Sequence, residues 1–192
     1  VFYRYDSILN NDLKGYGVLN YMTSHDDGQP YDKERKMPYK TATMLLLTPG
    51  TSQVYYGDES ARDLTIKGAV GDANLRSFMN WDDVKNNNET KKILTHWQKI
   101  GQFRDNHMAV GAGKHELISE ENGLIFSRVK NKDKVVIGIN LPKGKKLIKI
   151  SSVYKNTAHL FDFYSKKNVL IKDGTAYLDS PYDIVLIEKV KF

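Results

Sequence analysis

The chain of 192 residues has no cysteine, which excludes a disulfide framework, a Cys-ligated zinc or iron–sulfur centre and a thiol nucleophile. It has no long apolar run: the longest, around Met44–Leu47, falls far short of the ~20 residues that span a bilayer. Low-complexity tracts and repeats of 20–50 residues are missing too. Charge of one sign is not dominant, with 29 Lys+Arg against 23 Asp+Glu, or 29 − 23 = +6. That balance permits contact with an anionic surface but is modest for a nucleic-acid binder. With 40% hydrophobic and 27% charged residues, the chain reads as an ordinary globular protein. Its start, Val1-Phe2-Tyr3-Arg4, has neither Met nor the shape of a signal peptide, so a processed, truncated or partial chain is expected.

Two textures divide the sequence, with the boundary expected within 107–116. In the first, Val18–Thr23 reads as a short apolar strand running into a polar loop, Ser24–Asp32. Pro38 suits the first turn of a helix that carries Ala42, Met44, Leu45, Leu46 and Leu47 and stops at Pro49-Gly50. Ser52–Tyr56 reads as the next strand, ending at Gly57-Asp58-Glu59. Asn87 or Asn88 can cap a helix whose Ile93, Trp97 and Ile100 repeat at helical spacing. Strands alternating with helices predict a parallel, doubly covered α/β arrangement. From about Lys114 the period changes to two. Leu124–Val129 and Val135–Ile139 flank Asn131-Lys132-Asp133, and Leu147–Ile150, His159–Tyr164 and Val169–Ile171 follow. Asp173-Gly174 then turns into Thr175–Leu178, and Ile184–Ile187 closes the set. About seven short strands predict an antiparallel sandwich.

Two clusters bear chemistry. Tyr21-Met22-Thr23-Ser24-His25-Asp26-Asp27 sends a strand directly into His-Asp-Asp. In a β/α fold, groups at the C-terminal end of a strand sit at the active face, where a carboxylate can serve as acid, base, nucleophile or electrostatic stabiliser. The same residues can equally cap a loop. In the second cluster, Gly50–Glu59, adjacent carboxylates on a strand point to opposite faces. Asp58 and Glu59 are therefore no facing pair, and Glu59 is expected to turn inward to an Arg or the backbone. Gly111-Ala112-Gly113-Lys114 lacks phosphate-loop spacing and reads as a linker. Lys143-Gly144-Lys145-Lys146 reads as a solvated turn, not a nucleic-acid footprint. His96, His107, His115 and His159 show no metal-ligand spacing and read as structural. Asn88-Glu89-Thr90 fits the glycosylation pattern but serves better as a helix cap. Trp81 and Tyr31 can stack on sugar rings, whereas Trp97 is core.

In these motifs the chain resembles the α-amylase family of glycoside hydrolases (family 13). Tyr21–Asp26 is similar to the apolar-x-x-His-Asp end of the family's strand seven, and Gly50–Glu59 to its Gly-x-Pro-x-x-Tyr-Tyr-Gly-x-Glu at strand eight. Arg76–Trp81 is similar to Arg-x-Pro-Met-x-Trp, and Gln102–Val110 to Leu-Arg-x-x-His-Pro-Ala-Leu. Ser52, Phe78 and Met108 stand where the family has prolines, a change that bears on turn rigidity.

The resemblance implies an α/β plus all-β chain. Residues 1–108 would form the last two β/α units of a (β/α)8 barrel, and 109–192 an antiparallel β-sandwich. It further implies retaining hydrolysis of α-1,4-glucosidic bonds in starch or maltooligosaccharides. Asp26 would be the catalytic carboxylate that favours the oxocarbenium-like transition state, and His25 and Asp27 would contact the sugar. The family's nucleophilic Asp in Gly-x-Arg-x-Asp, and its acid/base Glu, have no counterpart here. A retaining glycosidase needs two carboxyls about 5–5.5 Å apart, so the segment alone is expected to be inactive and to need the N-terminal remainder of the barrel. No cofactor is expected in this segment, with calcium possible in the missing part. The partners implied are an α-glucan and that remainder, with no nucleic acid and no membrane span, in a secreted or cell-surface bacterial setting. A non-catalytic carbohydrate-binding or structural fragment, a transglucosidase and an α-1,6-glucosidase are the alternatives.

Overall fold

A computed structural model describes residues 4, 7–9, 11–156 and 158–190. Val1, Phe2 and Tyr3, and the last two residues of the expected sandwich, lie outside the described residues. Contacts divide the chain into two compact units, Gly15–Gln102 and a second that joins the described residues before Gly15 to those from Phe103 onward.

The first unit is built on a β–α–β element. Strand β1 (Leu19–Asn20) and β2 (Thr51–Ser52) pair in parallel, Leu19 with Thr51 and Asn20 with Ser52. Between them runs helix α1 (Pro38–Leu46), with Pro38 in its first turn, where a missing N–H costs nothing. Its Thr41, Ala42, Leu45 and Leu46 are buried. Asn20 locks the two strands by donating from Nδ2 to Pro49 O (2.8 Å) and Thr51 O (3.2 Å). Both strands are shorter than the apolar runs Val18–Thr23 and Ser52–Tyr56 predict. β2 ends at Ser52, and beyond Tyr56 the chain turns at Gly57, with φ +84°, into a 3₁₀ turn over Asp58–Ser60.

Gly50 makes the entry to β2 possible. Its φ is +91°, and a Cβ there would lie 2.6 Å from the carbonyl oxygen of Val18. Left-handed backbone alone costs an L-residue about 1–2 kcal/mol, and the clash adds to it. Gly50→Ala is therefore expected to lower the thermal midpoint by at least ~4 °C in a calorimetric scan; an unchanged midpoint would show that the Val18–Gly50 contact is relaxed at no cost.

Two further helices complete this unit, α2 (Trp81–Asn86) and α3 (Asn88–Asn106), the last turn of which belongs to the second unit. Asn87 caps α3, its Oδ1 accepting from the amides of Glu89 (2.8 Å) and Thr90 (3.2 Å), as the sequence predicts. Ile93, Trp97 and Ile100 are buried. His96 ties α3 to α1, its Nε2 lying 3.0 Å from Tyr39 O and 3.2 Å from Thr43 Oγ1. Tyr39 OH donates to Glu89 (2.8 Å), and burial with that carboxylate raises the phenol pKa to about 12.

In the second unit the short helix α4 (Met108–Ala112) runs through Gly113 directly into β3 (Lys114–Ser119). Gly111–Lys114, read from sequence as a linker, is thus helix end and strand start. β4 (Leu124–Lys130), β5 (Asp133–Ile139), β6 (Gly144–Lys149), β7 (Leu160–Asp162), β8 (Lys167–Lys172), β9 (Thr175–Ser180) and β10 (Val185–Lys189) follow. All eight pair antiparallel in the order β3-β4-β5-β10-β7-β8-β9-β6. The expected turns are present, with Asn131 (φ +56°) linking β4 to β5 and Asp173-Gly174 (φ +49° and +72°) linking β8 to β9. Val136 from β5, Ile148 from β6 and Ala176 from β9 share one apolar core with Val185 and Ile187 of β10. Strands distant in the order therefore meet, and the sheet curls over its own core. Lys143–Lys146 is no solvated turn: β6 begins at Gly144, and alternation carries Lys146 inward. There its buried Nζ donates to Ser180 O (2.9 Å) and Gly144 O (3.1 Å).

Candidate active site

The loop that leaves β1 closes at its base through Tyr31 N donating to Met22 O (3.0 Å). Thr23 is fully buried beneath it, and the next residues surface. Asp26 N donates to Ser24 Oγ (3.3 Å), and Gln29 N to Asp27 Oδ1 (2.9 Å). Asp27 thus holds the turn with one carboxylate oxygen, the local role open to an aspartate in a loop. Past Pro30, Asp32 fixes the exit by accepting from the amides of Lys36 and Met37, each at 2.8 Å.

At the crest of this loop, both carboxylate oxygens of Asp26 face a basic group. His25 Nε2 lies 2.9 Å from Oδ2, and Arg76 Nη2 donates to Oδ1 at 3.1 Å. The Asp26 side chain is 62% exposed, and ion pairs at such exposure contribute about 0–1 kcal/mol to stability. The arrangement positions a carboxylate more than it stabilises a fold. It holds a negative charge, oriented on two sides and open to solvent on the others, beside donors suited to hydroxyl groups.

Arg76 lies fifty residues from Asp26 in sequence. Sequence reading placed it in a motif but gave it no role in the site; only the turn over Gly71–Arg76 brings its guanidinium to the carboxylate. Support comes from Arg62, buried between Tyr56 and the segment that follows Leu75. It donates from Nε to Tyr56 O (3.0 Å), from Nη1 to Ser77 O (2.9 Å) and from Nη2 to Leu75 O (3.2 Å). Its guanidinium carbon stands 3.9 Å from the centre of the Tyr56 ring.

Asp58 and Glu59 part company in an unexpected way. Because Asp58–Ser60 is a 3₁₀ turn and not a strand, the two-residue alternation does not apply. Asp58, not Glu59, turns inward to an arginine, pairing with Arg35 at 2.8 Å and only 1% exposed. Burial pushes the Asp58 carboxyl upward, while Arg35, Thr23 and Arg62 pull it back. Such a pair belongs to the scaffold under the loop. Trp81 and Tyr31 are both exposed, as sugar-stacking residues must be, whereas Trp97 is buried.

Among the described residues, no group of three or more His, Cys, Asp or Glu side chains could hold a metal ion. No helix there is long and apolar enough to cross a membrane.

No family model matches the chain. It is 41% identical over 125 residues to the periplasmic alpha-amylase of Escherichia coli (strain K12), a match covering 65% of this chain and 18% of that protein. It superposes on the crystal structure of an Anoxybacillus alpha-amylase with a TM-score of 0.68 at 20% identity, over 97% of this chain and 42% of the other. Against AmyP in complex with maltose the TM-score is 0.67 at 13% identity, over 95% and 43%. At these identities the structural likeness is one of fold. The chain spans about a fifth of the curated relative's length.

Proposed function

Because the chain shares sequence and fold with the C-terminal part of the α-amylase family, we propose that it completes the active site of a retaining glycoside hydrolase acting on α-1,4-glucosidic bonds of starch or maltooligosaccharides. The nucleophile and the proton donor come from the remainder of the polypeptide, without which this segment is inactive. Asp26 is the carboxylate that stabilises positive charge on the sugar as the glycosidic bond breaks. His25 donates to a hydroxyl of that sugar, Asp27 contacts it from the same loop, and Arg76 positions Asp26.

One observation carries the reading: a solvent-facing carboxylate at the end of a β/α-unit strand, with both oxygens oriented by basic side chains. Once the remainder of the barrel excludes water from it, a carboxylate held in this way needs little reorganisation when a cationic transition state forms. In the whole enzyme the calcium of the fold family, where present, is held outside this segment. The setting is extracytoplasmic, as for the periplasmic relative. Hydrolysis of maltooligosaccharides by the full-length protein, lost on Asp26→Asn substitution, tests the assignment; full activity of the variant would refute it.

A further inference from the structure

The Asp26–Arg76 pair joins two segments fifty residues apart, so its geometry depends on what fixes each segment. Arg76 is fixed through its neighbours. Arg62, itself buried, donates from Nη2 to Leu75 O (3.2 Å) and from Nη1 to Ser77 O (2.9 Å). The carbonyls on both sides of Arg76 are thus held by one guanidinium. Tyr56 OH adds a second bond to Ser77 O (2.8 Å). Gly57 gives the Arg62 side chain its room, because a Cβ there would lie 2.5 Å from Arg62 Nε.

The Asp26 segment is fixed from the far end of its loop, by Arg35. This residue stands at φ +54°, a backbone region that glycine enters without strain and other residues keep only where their surroundings hold them. Here the side chain does the holding. Arg35 Nη2 lies 2.8 Å from Asp58 Oδ1, with the two side chains 9% and 0% exposed, and Arg35 Nε donates to the carbonyl oxygen of Arg62 (2.8 Å). Asp58 also meets fully buried Thr23, two residues before His25. The contacts close into a ring. Asp26 bonds Arg76, Arg62 clamps the carbonyls beside Arg76, Arg35 bonds the Arg62 backbone, and the loop runs from Arg35 back to Asp26. All of these residues lie in one compact unit. Apart from the Asp26–Arg76 bond itself, the joints are buried or partly buried within that unit, whatever the rest of the polypeptide covers.

We infer that Arg35 is a positioning residue for the reaction: its guanidinium ties the Asp26 loop to the Arg62 clamp and so keeps the Asp26 carboxylate on Arg76. The planar fork matters, because it serves a carboxylate with one nitrogen and a carbonyl with another in fixed geometry, which a lysine ammonium does not reproduce. The inference rests on the proposed role of Asp26.

The test measures kcat, KM and thermal midpoint of the full-length protein on maltooligosaccharides for Arg35→Lys, Asp26→Asn and the two combined. Lysine keeps a cation for Asp58 but loses the second arm. Arg35→Lys is expected to lower kcat about tenfold, the scale of a small misplacement of a catalytic group, with KM changed less than about threefold. In the Asp26→Asn background the same substitution changes kcat less than about twofold, because the group it positions has already lost its charge. A proportional fall in both backgrounds, or a lowered midpoint at parent kcat, would mark a purely structural role and overturn the inference. The pair Arg35→Met with Asp58→Leu repeats the test with no unpaired buried charge. There a lowered kcat at a near-parent midpoint is expected, and a parent kcat would overturn the inference. If Asp26→Asn is impaired while Arg35→Lys behaves as the parent, only the positioning role fails; if Asp26→Asn is fully active, the reading beneath it fails.

Discussion

Asp26→Asn is expected to lower kcat on maltooligosaccharides by about 10²- to 10³-fold, or ~3–4 kcal/mol of transition-state stabilisation. Asparagine keeps the size of the side chain and an oxygen for Arg76, so the loop should hold its shape. What disappears is the negative charge. Ground-state sugar is neutral and feels that loss weakly, whereas the oxocarbenium-like transition state carries positive charge and feels it strongly. The expected signature is therefore an equal fall in kcat and kcat/KM with KM little changed. Because the side chain is 62% exposed and its ion pairs add little to folding, the thermal midpoint should stay within ~2 °C of the parent. A raised KM at normal kcat would mean that Asp26 only binds substrate.

The largest effect on stability is expected at His107, in the other compact unit. Its ring is 3% exposed and stands between two carboxylates, with Nδ1 2.7 Å from Asp133 Oδ1 and Nε2 2.6 Å from Glu188 Oε2. Asp133 opens β5 and also accepts from the amide of Ala109 (2.8 Å) at the start of α4. Glu188 lies on β10, across from Val135 of β5. One imidazole thus fastens the end of α3 to two neighbouring strands. His107→Ala leaves two partly buried carboxylates without the ring they share. A partly buried carboxylate that loses its hydrogen-bond partner costs about 1–3 kcal/mol, and the two together correspond to roughly 10 °C in thermal midpoint at this chain length. A shift below ~2 °C in thermal unfolding would show that Asp133 and Glu188 are satisfied without the histidine.

Elements with local punctuation were legible in the sequence. α1 follows from Pro38 at its start and Pro49-Gly50 beyond its end, and α3 from the Asn87 cap and the Ile93–Trp97–Ile100 face. The turns at Asn131 and Asp173-Gly174 gave the hairpins. β3 was not legible, because Lys114-His115-Glu116 does not look apolar. His115 is nonetheless buried, its Nδ1 accepting from the Nε of buried Arg128 at 2.9 Å. Lys146 escaped for the same reason, its charge hiding an inward position that only the pairing of β6 with β9 defines.

At the site, His25 and Asp26 stood out by their place after an apolar strand and by family resemblance. Their geometry did not, because Arg76 reaches Asp26 across fifty residues and the buried pair Arg35–Asp58 forms across a turn that no periodicity announces. His107 was read as structural, but its two partners lie 26 and 81 residues away, beyond any local pattern. Pairwise side-chain geometry across long separations belongs to tertiary structure, and there the sequence pattern was silent.

The central claim is that Asp26 stabilises developing positive charge on the sugar. Its most direct measurement is the inhibition constant of a cationic, amine-bearing pseudo-oligosaccharide against the full-length parent and the Asp26→Asn variant, set beside the KM of the matching neutral maltooligosaccharide. The account predicts that the cationic inhibitor weakens by about 10²-fold or more in the variant while KM moves less than about threefold. Equal weakening of both ligands, or of neither, would contradict it.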